Sequence, residues 1–372
     1  MKPMENRKKT NVCFVSPKSY PLFDHSIDAV FGGAEVDLYM LGTELAKDPG
    51  FNVSFIVADY AQADECEIEG VRLLKSLSFK EGPLAGAIKV WQAMRKANAD
   101  IYMLKTASPG VPLAVLFCEI HKRIFAYRAA SSRECDGTYA NQHKILGKLF
   151  NWSLQKAKFV TVQNTNDKDS LNQTVAVQAQ VIPNGHRLPP DTTGSRDSIL
   201  WVGRSAQVKQ PQLFIDLARQ MPDEKFVMIC QRATGDDNYN QLCQHAKNVK
   251  NLQFHQRVPF HEIDAFFQRA KVLVNTSDSE GFPNTFIQAC KAQTAILSYN
   301  VNPDSFMDKF NCGMCADGDG EKLTKLLNEL LTDRRYSELG ANGRKYVEGK
   351  HDIAKIIDRY KEAFKQLNEK QA

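Results

Sequence analysis

Residues 272–298 read VLVNTSDSEGFPNTFIQACKAQTAILS. An apolar run at 272–275 has the length of a short strand, and a polar loop (276–283) follows it. Proline suits the first turn of a helix, so a helix is expected to start near Pro283 and to end before a second apolar strand at 295–298. This is a strand, loop, helix, strand unit. Its strands are too uniformly apolar to leave one face wet, which points to a parallel sheet covered on both sides.

The same alternation extends through the chain. Strands are expected at 11–15, 53–57, 101–104, 124–127 and 159–162, with a helix at 36–45 after a glycine-rich turn, Phe31-Gly32-Gly33. Residues 188–198 (LPPDTTGSRDS) are rich in Pro, Gly and Ser and read as a linker. The pattern then restarts, with strands at 199–202, 226–230, 252–255, 272–275 and 295–298 and helical windows at 212–220 and 263–269. A last helical pattern, IAKIIDRYKEAFKQL, ends the chain. The expected fold class is α/β, with two Rossmann-like, doubly wound parallel-sheet domains at 1–188 and 189–352 and a C-terminal helix at 353–372. Ligands of such sheets bind beyond the C-terminal strand ends, so the expected site is a cleft which the two domains face.

Composition narrows the class of protein. Hydrophobic residues make up 43 % and charged residues 24 % of 372, as in globular proteins, and the longest apolar run, VPLAVLF at 111–117, is too short to span a bilayer. The N-terminal MKPMENRKKT lacks the apolar core of a secretory signal, so a cytoplasmic location is expected. Nine scattered cysteines fit free thiols in a reducing compartment, and Cys312-Gly-Met-Cys315 is a lone pair without a second one to complete a zinc site. The net charge of +5 is modest, and no nucleic-acid partner is expected. Residues 101–160 nevertheless hold nine Lys/Arg against Glu119, Glu134 and Asp136. That patch suits an acidic acceptor or peripheral contact with the inner membrane face as well as it suits a solvated helix surface. Asp317-Gly-Asp319 is read as a turn, not as a metal motif.

The loop before the helix carries the chemistry. The amides of Asn284 and Thr285 lie in a first helical turn, where a partial positive charge favours phosphate. A carboxylate at Glu280 would be repelled by phosphate, so its better partner is a set of hydroxyls. Gln288 lies about two turns further in, near the face of 281, 284 and 285. Taken singly, Glu280 is also readable as a helix-capping acid, Gln288 as a surface residue, and Arg204 with Lys209 as a solvated loop.

Together these residues resemble family 4 of the retaining glycosyltransferases, which have the GT-B fold. Glu280-Gly281-Phe282-Pro283-Asn284 is similar to the first half of that family's E-x7-E motif. Gly32-Gly33-Ala34-Glu35, Val181-Ile182-Pro183-Asn184-Gly185 and Val202-Gly203-Arg204 with Lys209 follow in the family's order. The resemblance implies that Arg204 and Lys209 hold the diphosphate of a UDP- or GDP-sugar, with Glu280 on the donor sugar's hydroxyls. It places the amides around Gly281, Phe282 and Asn284 at sugar and phosphate, Val258 at the nucleobase, and Gly33 close to the diphosphate. The N-terminal domain would be the acceptor side and the second domain the donor side, with the C-terminal helix crossing back to the first.

Two positions depart from the family. The motif's second acid is Gln288 here, which offers a ribose diol hydrogen bonds without charge. The histidine often found after the strand ending at Tyr127 is absent, which leaves Arg128, Arg133 and Asp136 as the acceptor-side candidates; His121 is expected to face solvent. The implied function is a retaining, metal-independent hexosyl transfer that requires no cofactor. The acceptor would be a glycan, a lipid-linked or a small hydroxyl compound, in surface polysaccharide or glycoconjugate biosynthesis. A catalytically impaired GT-B module that binds nucleotide or glycan, and a GT-B sugar-nucleotide epimerase, are the alternatives.

Overall fold

The computed structural model describes residues 9–27, 29–188, 194–259 and 262–371. Residues 189–193 of the expected linker, and residues 1–8, therefore lie outside the described residues. The chain divides into two compact units, one comprising Met1–Arg187 with Asp352–Ala372 and the other Leu188–His351. Each is a Rossmann-like α/β unit built on its own sheet. No described helix is long and apolar enough to cross a membrane.

Unit 1 carries strands β1 (Thr10–Val15), β2 (Phe51–Val57), β3 (Glu65–Ile68), β4 (Val71–Lys75), β5 (Ile101–Lys105), β6 (Ile124–Arg128), β7 (Phe159–Val162) and β8 (Gln180–Val181). Their order in the sheet is β3-β4-β2-β1-β5-β6-β7-β8, and all pairs are parallel except β3 with β4. That antiparallel hairpin was not expected. It turns at Glu69 and Gly70, both with positive φ, a tight turn without the usual Asn-Gly or Asp-Gly signal. The helix Gly33–Leu45 lies so close to β2 that a Cβ on Gly42 would stand 2.3 Å from the Phe55 ring. Glycine is required there by the contact and not by the backbone angle.

Arg128, expected on the acceptor side, is instead buried inside unit 1 at 1 % exposure. Its Nε donates to Asp37 Oδ2 at 2.5 Å, its Nη1 to Tyr360 Oη at 2.7 Å and the Ile182 carbonyl at 2.9 Å, and its Nη2 to Asn184 Oδ1 at 2.5 Å. Lys105 Nζ adds a second cation 2.7 Å from Asp37. Burial acts to raise the Asp37 carboxyl, but Arg128 and Lys105 outweigh it and hold the group at about 2. With its donors occupied by protein acceptors, Arg128 anchors structure and is not placed to reach a ligand.

Its partner Tyr360 belongs to the final helix, Ile353–Gln371, which packs on the Gly33–Leu45 helix and β1 with Ile356, Ile357, Tyr360 and Phe364 buried. The helix starts where Ile353 N donates to the His186 carbonyl at 3.0 Å. A Cβ on the neighbouring Gly185 would lie 2.3 Å from Ile353 Cδ1.

Unit 2 carries β9 (Ser198–Arg204), β10 (Phe226–Gln231), β11 (Leu252–His255), β12 (Ala270–Asn275), β13 (Ala295–Ser298) and β14 (Gly313–Cys315). The sheet is parallel throughout, in the order β11-β10-β9-β12-β13-β14. One core, including Trp201, Phe214 and Leu327, covers one face, and a second, including Phe267, Phe282 and Phe286, covers the other. The order runs outward in both directions from β9 and β12, so the switch point of this sheet lies between them.

The Arg128 cluster yields a stability prediction. Arg128→Met leaves Asp37 buried with Lys105 alone, and should cost about 3 kcal/mol, the lower end of the range for breaking a buried pair. Tyr360→Phe removes one acceptor and should cost about 1 kcal/mol. Urea unfolding measures both, and an Arg128→Met variant as stable as the wild type would contradict the anchoring role.

Candidate functional site

The switch point of unit 2 places two loops side by side. After β9, the chain makes a single tight turn at Gln207–Lys209 before the helix Pro211–Gln220. After β12, residues 276–283 lead to the helix Asn284–Lys291, whose N-terminus has no capping side chain. Several contacts tie β9 and the loop after it to the loop after β12. Trp201 Nε1 donates to Thr276 Oγ1 at 2.8 Å, and that hydroxyl donates to the Lys209 carbonyl at 2.6 Å. Asp278 N donates to the Val208 carbonyl at 2.9 Å.

This lacing brings Lys209 to Glu280. Nζ and Oε2 are 2.5 Å apart, and Asn275 Nδ2 donates to Glu280 Oε1 at 2.9 Å. Burial acts to raise the Glu280 carboxyl. The Lys209 ammonium, together with hydrogen bonds from Lys209, Asn275 and Ser277, outweighs that and holds it below the ordinary carboxylate range. Glu280 is therefore ionised at neutral pH while its side chain is only 16 % exposed. Arg204, at the end of β9, is exposed, and its side chain forms no ion pair among the described residues.

The other sequence-expected positions of this unit fall around the same loop. Phe282 turns its ring into the core, 5.0 Å from Phe306 and 4.9 Å from His351, so only its backbone faces away from packing. Asn284 opens the helix, Thr285 follows it, and Gln288 stands one turn beyond Asn284 on the same face, half-buried. Val258 follows β11 with its side chain buried in the core that holds Phe282, leaving its backbone as the part able to meet a ligand.

Unit 1 holds the remaining candidates. Gly33 is the first residue of its helix, and Glu35 Oε2 accepts from Gly32 N at 2.7 Å, so the acid of the Gly32-Gly33-Ala34-Glu35 segment caps that helix. Arg133 is exposed and donates to Gln142 Oε1 at 2.6 Å. Asp136 accepts from Thr138 N at 2.8 Å and shapes a turn. His121 was expected to face solvent. Its ring instead packs 4.4 Å from Phe117 and 5.7 Å from Trp91, because the end of its helix is pressed onto its neighbour. Cys312 and Cys315 are free thiols, the first just before the edge strand β14 and the second its last residue, and Asp319 caps the helix Gly320–Thr332. Among the described residues no group of three or more His, Cys, Asp or Glu side chains is arranged to hold a metal.

Asn275, Thr276 and Trp201 were not singled out in the sequence. A polar Asn275 ending an otherwise apolar strand was the available signal.

Residues 191–346 match the family model described as glycosyl transferases group 1. The match falls within unit 2, which is similar to that family over this span. Among curated proteins none matches the chain. Solved structures match over nearly its full length. A sucrose-phosphate synthase from Thermosynechococcus elongatus is 17 % identical with a TM-score of 0.79, over 96 % of this chain and 99 % of that one. Anabaena HepE, solved with UDP-glucose, is 14 % identical with a TM-score of 0.72, over 96 % and 99 %. An α,α-trehalose-phosphate synthase (UDP-forming) from Burkholderia vietnamiensis is 11 % identical with a TM-score of 0.72, over 98 % and 100 %. At these identities the likeness establishes the fold, which is GT-B.

Within unit 2, the Lys209–Glu280 pair is open to a direct test. Lys209→Met removes the ammonium and leaves burial dominant, so the Glu280 carboxyl should titrate above its ordinary range. NMR titration of the carboxyl carbon reads this, and an unchanged titration would uncouple the two residues. In the wild type the sign is fixed by the depressed value. The pair's contribution to stability is complete above the unfolded carboxyl's pKa and is lost as pH falls through the lower folded one.

Proposed function

We propose that the protein transfers a sugar from a UDP- or GDP-sugar to a hydroxyl acceptor with retention of anomeric configuration. The observation that carries this reading is the cluster of Lys209, Glu280 and Asn275 at the switch point, beside Arg204 and an uncapped helix N-terminus. The group 1 domain match over residues 191–346 supports it, as does a GT-B neighbour solved with UDP-glucose.

The residues divide the work by charge. Lys209 and Glu280 together carry no net charge, so Arg204 supplies the surplus cation for a diphosphate. As the donor binds, the Lys209 ammonium is shared between Glu280 and phosphate oxygen, and the second Glu280 oxygen accepts from sugar hydroxyls. Amides of Gly281, Phe282, Asn284 and Thr285 meet sugar and phosphate at the helix N-terminus. Gln288 reaches the ribose, and the Val258 backbone meets the base. In the transfer, the bond between the anomeric carbon and the phosphate oxygen breaks and a bond to the acceptor oxygen forms on the same face. The acceptor's proton passes to the departing phosphate. Arg204 and Lys209 offset the charge that develops there, so the transfer requires no metal. The acceptor is a glycan, a lipid-linked saccharide or a small hydroxyl compound.

Screening UDP- and GDP-sugars for hydrolysis and transfer, with product anomers assigned by NMR, tests the proposal. Turnover should persist in EDTA. Arg204→Ala should lower turnover by about 10- to 150-fold, the equivalent of ~1.5–3 kcal/mol for a charged hydrogen bond. Full turnover in a folded Arg204→Ala variant would remove Arg204 from the site. Gln288→Glu should tighten nucleotide binding about fivefold by adding charge to the ribose contact, and calorimetric titration would show it. Equal affinity in wild type and variant would place Gln288 away from the ribose.

A further inference from the structure

Unit 1 has a switch point of its own, between β1 and β5. The loops that follow these strands, 16–18 and 106–110, border a cavity of about 1020 Å³, at the upper end of the ~300–1,000 Å³ usual for small-molecule sites. Its lining is divided by element. Ser16, Lys18 and Ser108 come from the loops at the strand ends, where a polar headgroup would meet them. The helices supply apolar side chains: Val90 from Pro83–Ala97, Leu113 and Leu116 from Gly110–His121, and Leu149 and Trp152 from Lys144–Lys156.

A second feature adjoins the cavity. These three helices pack side by side, and each exposes large apolar residues to solvent. Leu84 and Ile88 lie on the first, Leu116 and Ile120 on the second, and Ile145 and Leu149 on the third. Leu84 and Ile145 are about three-quarters exposed, at 76 % and 77 %. Leu116, Leu149 and the exposed Phe79 line the cavity as well, so the cavity and the apolar face are continuous. A contiguous exposed face of this kind marks an interaction surface.

Charge indicates what covers it. Lys80, Lys144 and Lys148 are exposed beside the apolar residues and form no ion pair among the described residues. The acids nearby are matched, Glu81 by Lys89 at 2.5 Å and Glu119 by Lys156 at 3.6 Å. A second copy of the chain, docked by two-fold symmetry, would bring together two faces that both carry these lysines. An anionic bilayer neutralises them while taking up the apolar side chains.

We propose that the face formed by these three helices lies on an anionic lipid bilayer, and that the cavity takes the apolar chain of a lipid acceptor whose hydroxyl-bearing head sits at the strand ends. The acceptor role rests on the glycosyl-transfer reading; the membrane surface and the apolar-chain site do not.

The test uses the full chain and two probes that need no turnover. Co-sedimentation with phosphatidylcholine vesicles, with and without phosphatidylglycerol, should show binding to the anionic vesicles. Leu84→Glu with Ile145→Glu should weaken that binding at least tenfold without changing Tm, and Lys148→Gln about fivefold. Parinaric acid, a fluorescent acyl chain, should bind saturably, and Ala87→Trp, which narrows the cavity, should weaken it at least tenfold. The proposal is overturned by absence of vesicle binding, by equal binding of wild type and double variant, or by acyl-chain binding that Ala87→Trp leaves unchanged. A dimer that the double Glu variant dissociates, without vesicle binding, would assign the face to self-association instead. Loss of all UDP- and GDP-sugar turnover with vesicle and acyl-chain binding intact would defeat the proposed function and leave this surface standing.

Discussion

A carboxylate taken largely out of water stays ionised only if a cation and hydrogen-bond donors replace its hydration. Lys209 and Asn275 do this for Glu280, and the architecture of unit 2 around the switch point is what delivers them. Lys209 arrives because the loop after β9 is tied to the loop after β12 through Trp201, Thr276 and Asp278. The pair is neutral, so in the proposed function a polyanionic donor would draw on Arg204 and the helix N-terminus for its net attraction. The ionised Glu280 remains available for hydroxyls in our reading of the site.

Unit 1 solves a similar problem for a different end. Asp37 is buried with Arg128 and Lys105, and the same guanidinium gathers the Ile182 carbonyl, Asn184 and Tyr360. One side chain thereby joins the helix Gly33–Leu45, β6, the segment after β8 and the last helix of the chain. The Ile182-Pro183-Asn184-Gly185 segment acquires a structural account from this. Asn184 accepts from Arg128, and Gly185 leaves room for Ile353. Of the segments that resemble the glycosyltransferase family, this one carries architecture, and so does Glu35, which caps a helix.

The strands were legible where burial on both faces made them continuously apolar. Residues 159–162, 252–255 and 295–298 form strands with the expected bounds, and the others lengthen by one to three residues. The missed strands lacked that signal. β3 alternates charged and apolar residues at a sheet edge, β4 reads Val-Arg-Leu-Leu-Lys with two cations in five residues, β8 has only two residues, and β14 reads Gly-Met-Cys. Within the candidate site, Glu280 stood out as an acid in the loop before a helix, and Arg204 and Lys209 through the family resemblance, whereas Asn275 at the end of its strand and Thr276 after it gave no sign of their partners.

What the sequence by itself determined is local: the alternation of strand and helix, the polar loop before Asn284, and the placement of charged residues just beyond apolar strands. Those follow from periodicity and turn chemistry, which act over a few residues. Partnership was decided by the tertiary structure. Arg128 reads in sequence as a charged residue ending a strand, open to an acceptor, yet its partners Asp37 and Tyr360 lie 91 and 232 residues away. Lys209 and Glu280 meet only because β9 and β12 are neighbours in the sheet while β10 and β11 are placed to the far side. Whether a charge is solvated, anchored or poised for a ligand depends on what the sheet order sets beside it, and spacing along the chain does not encode that order.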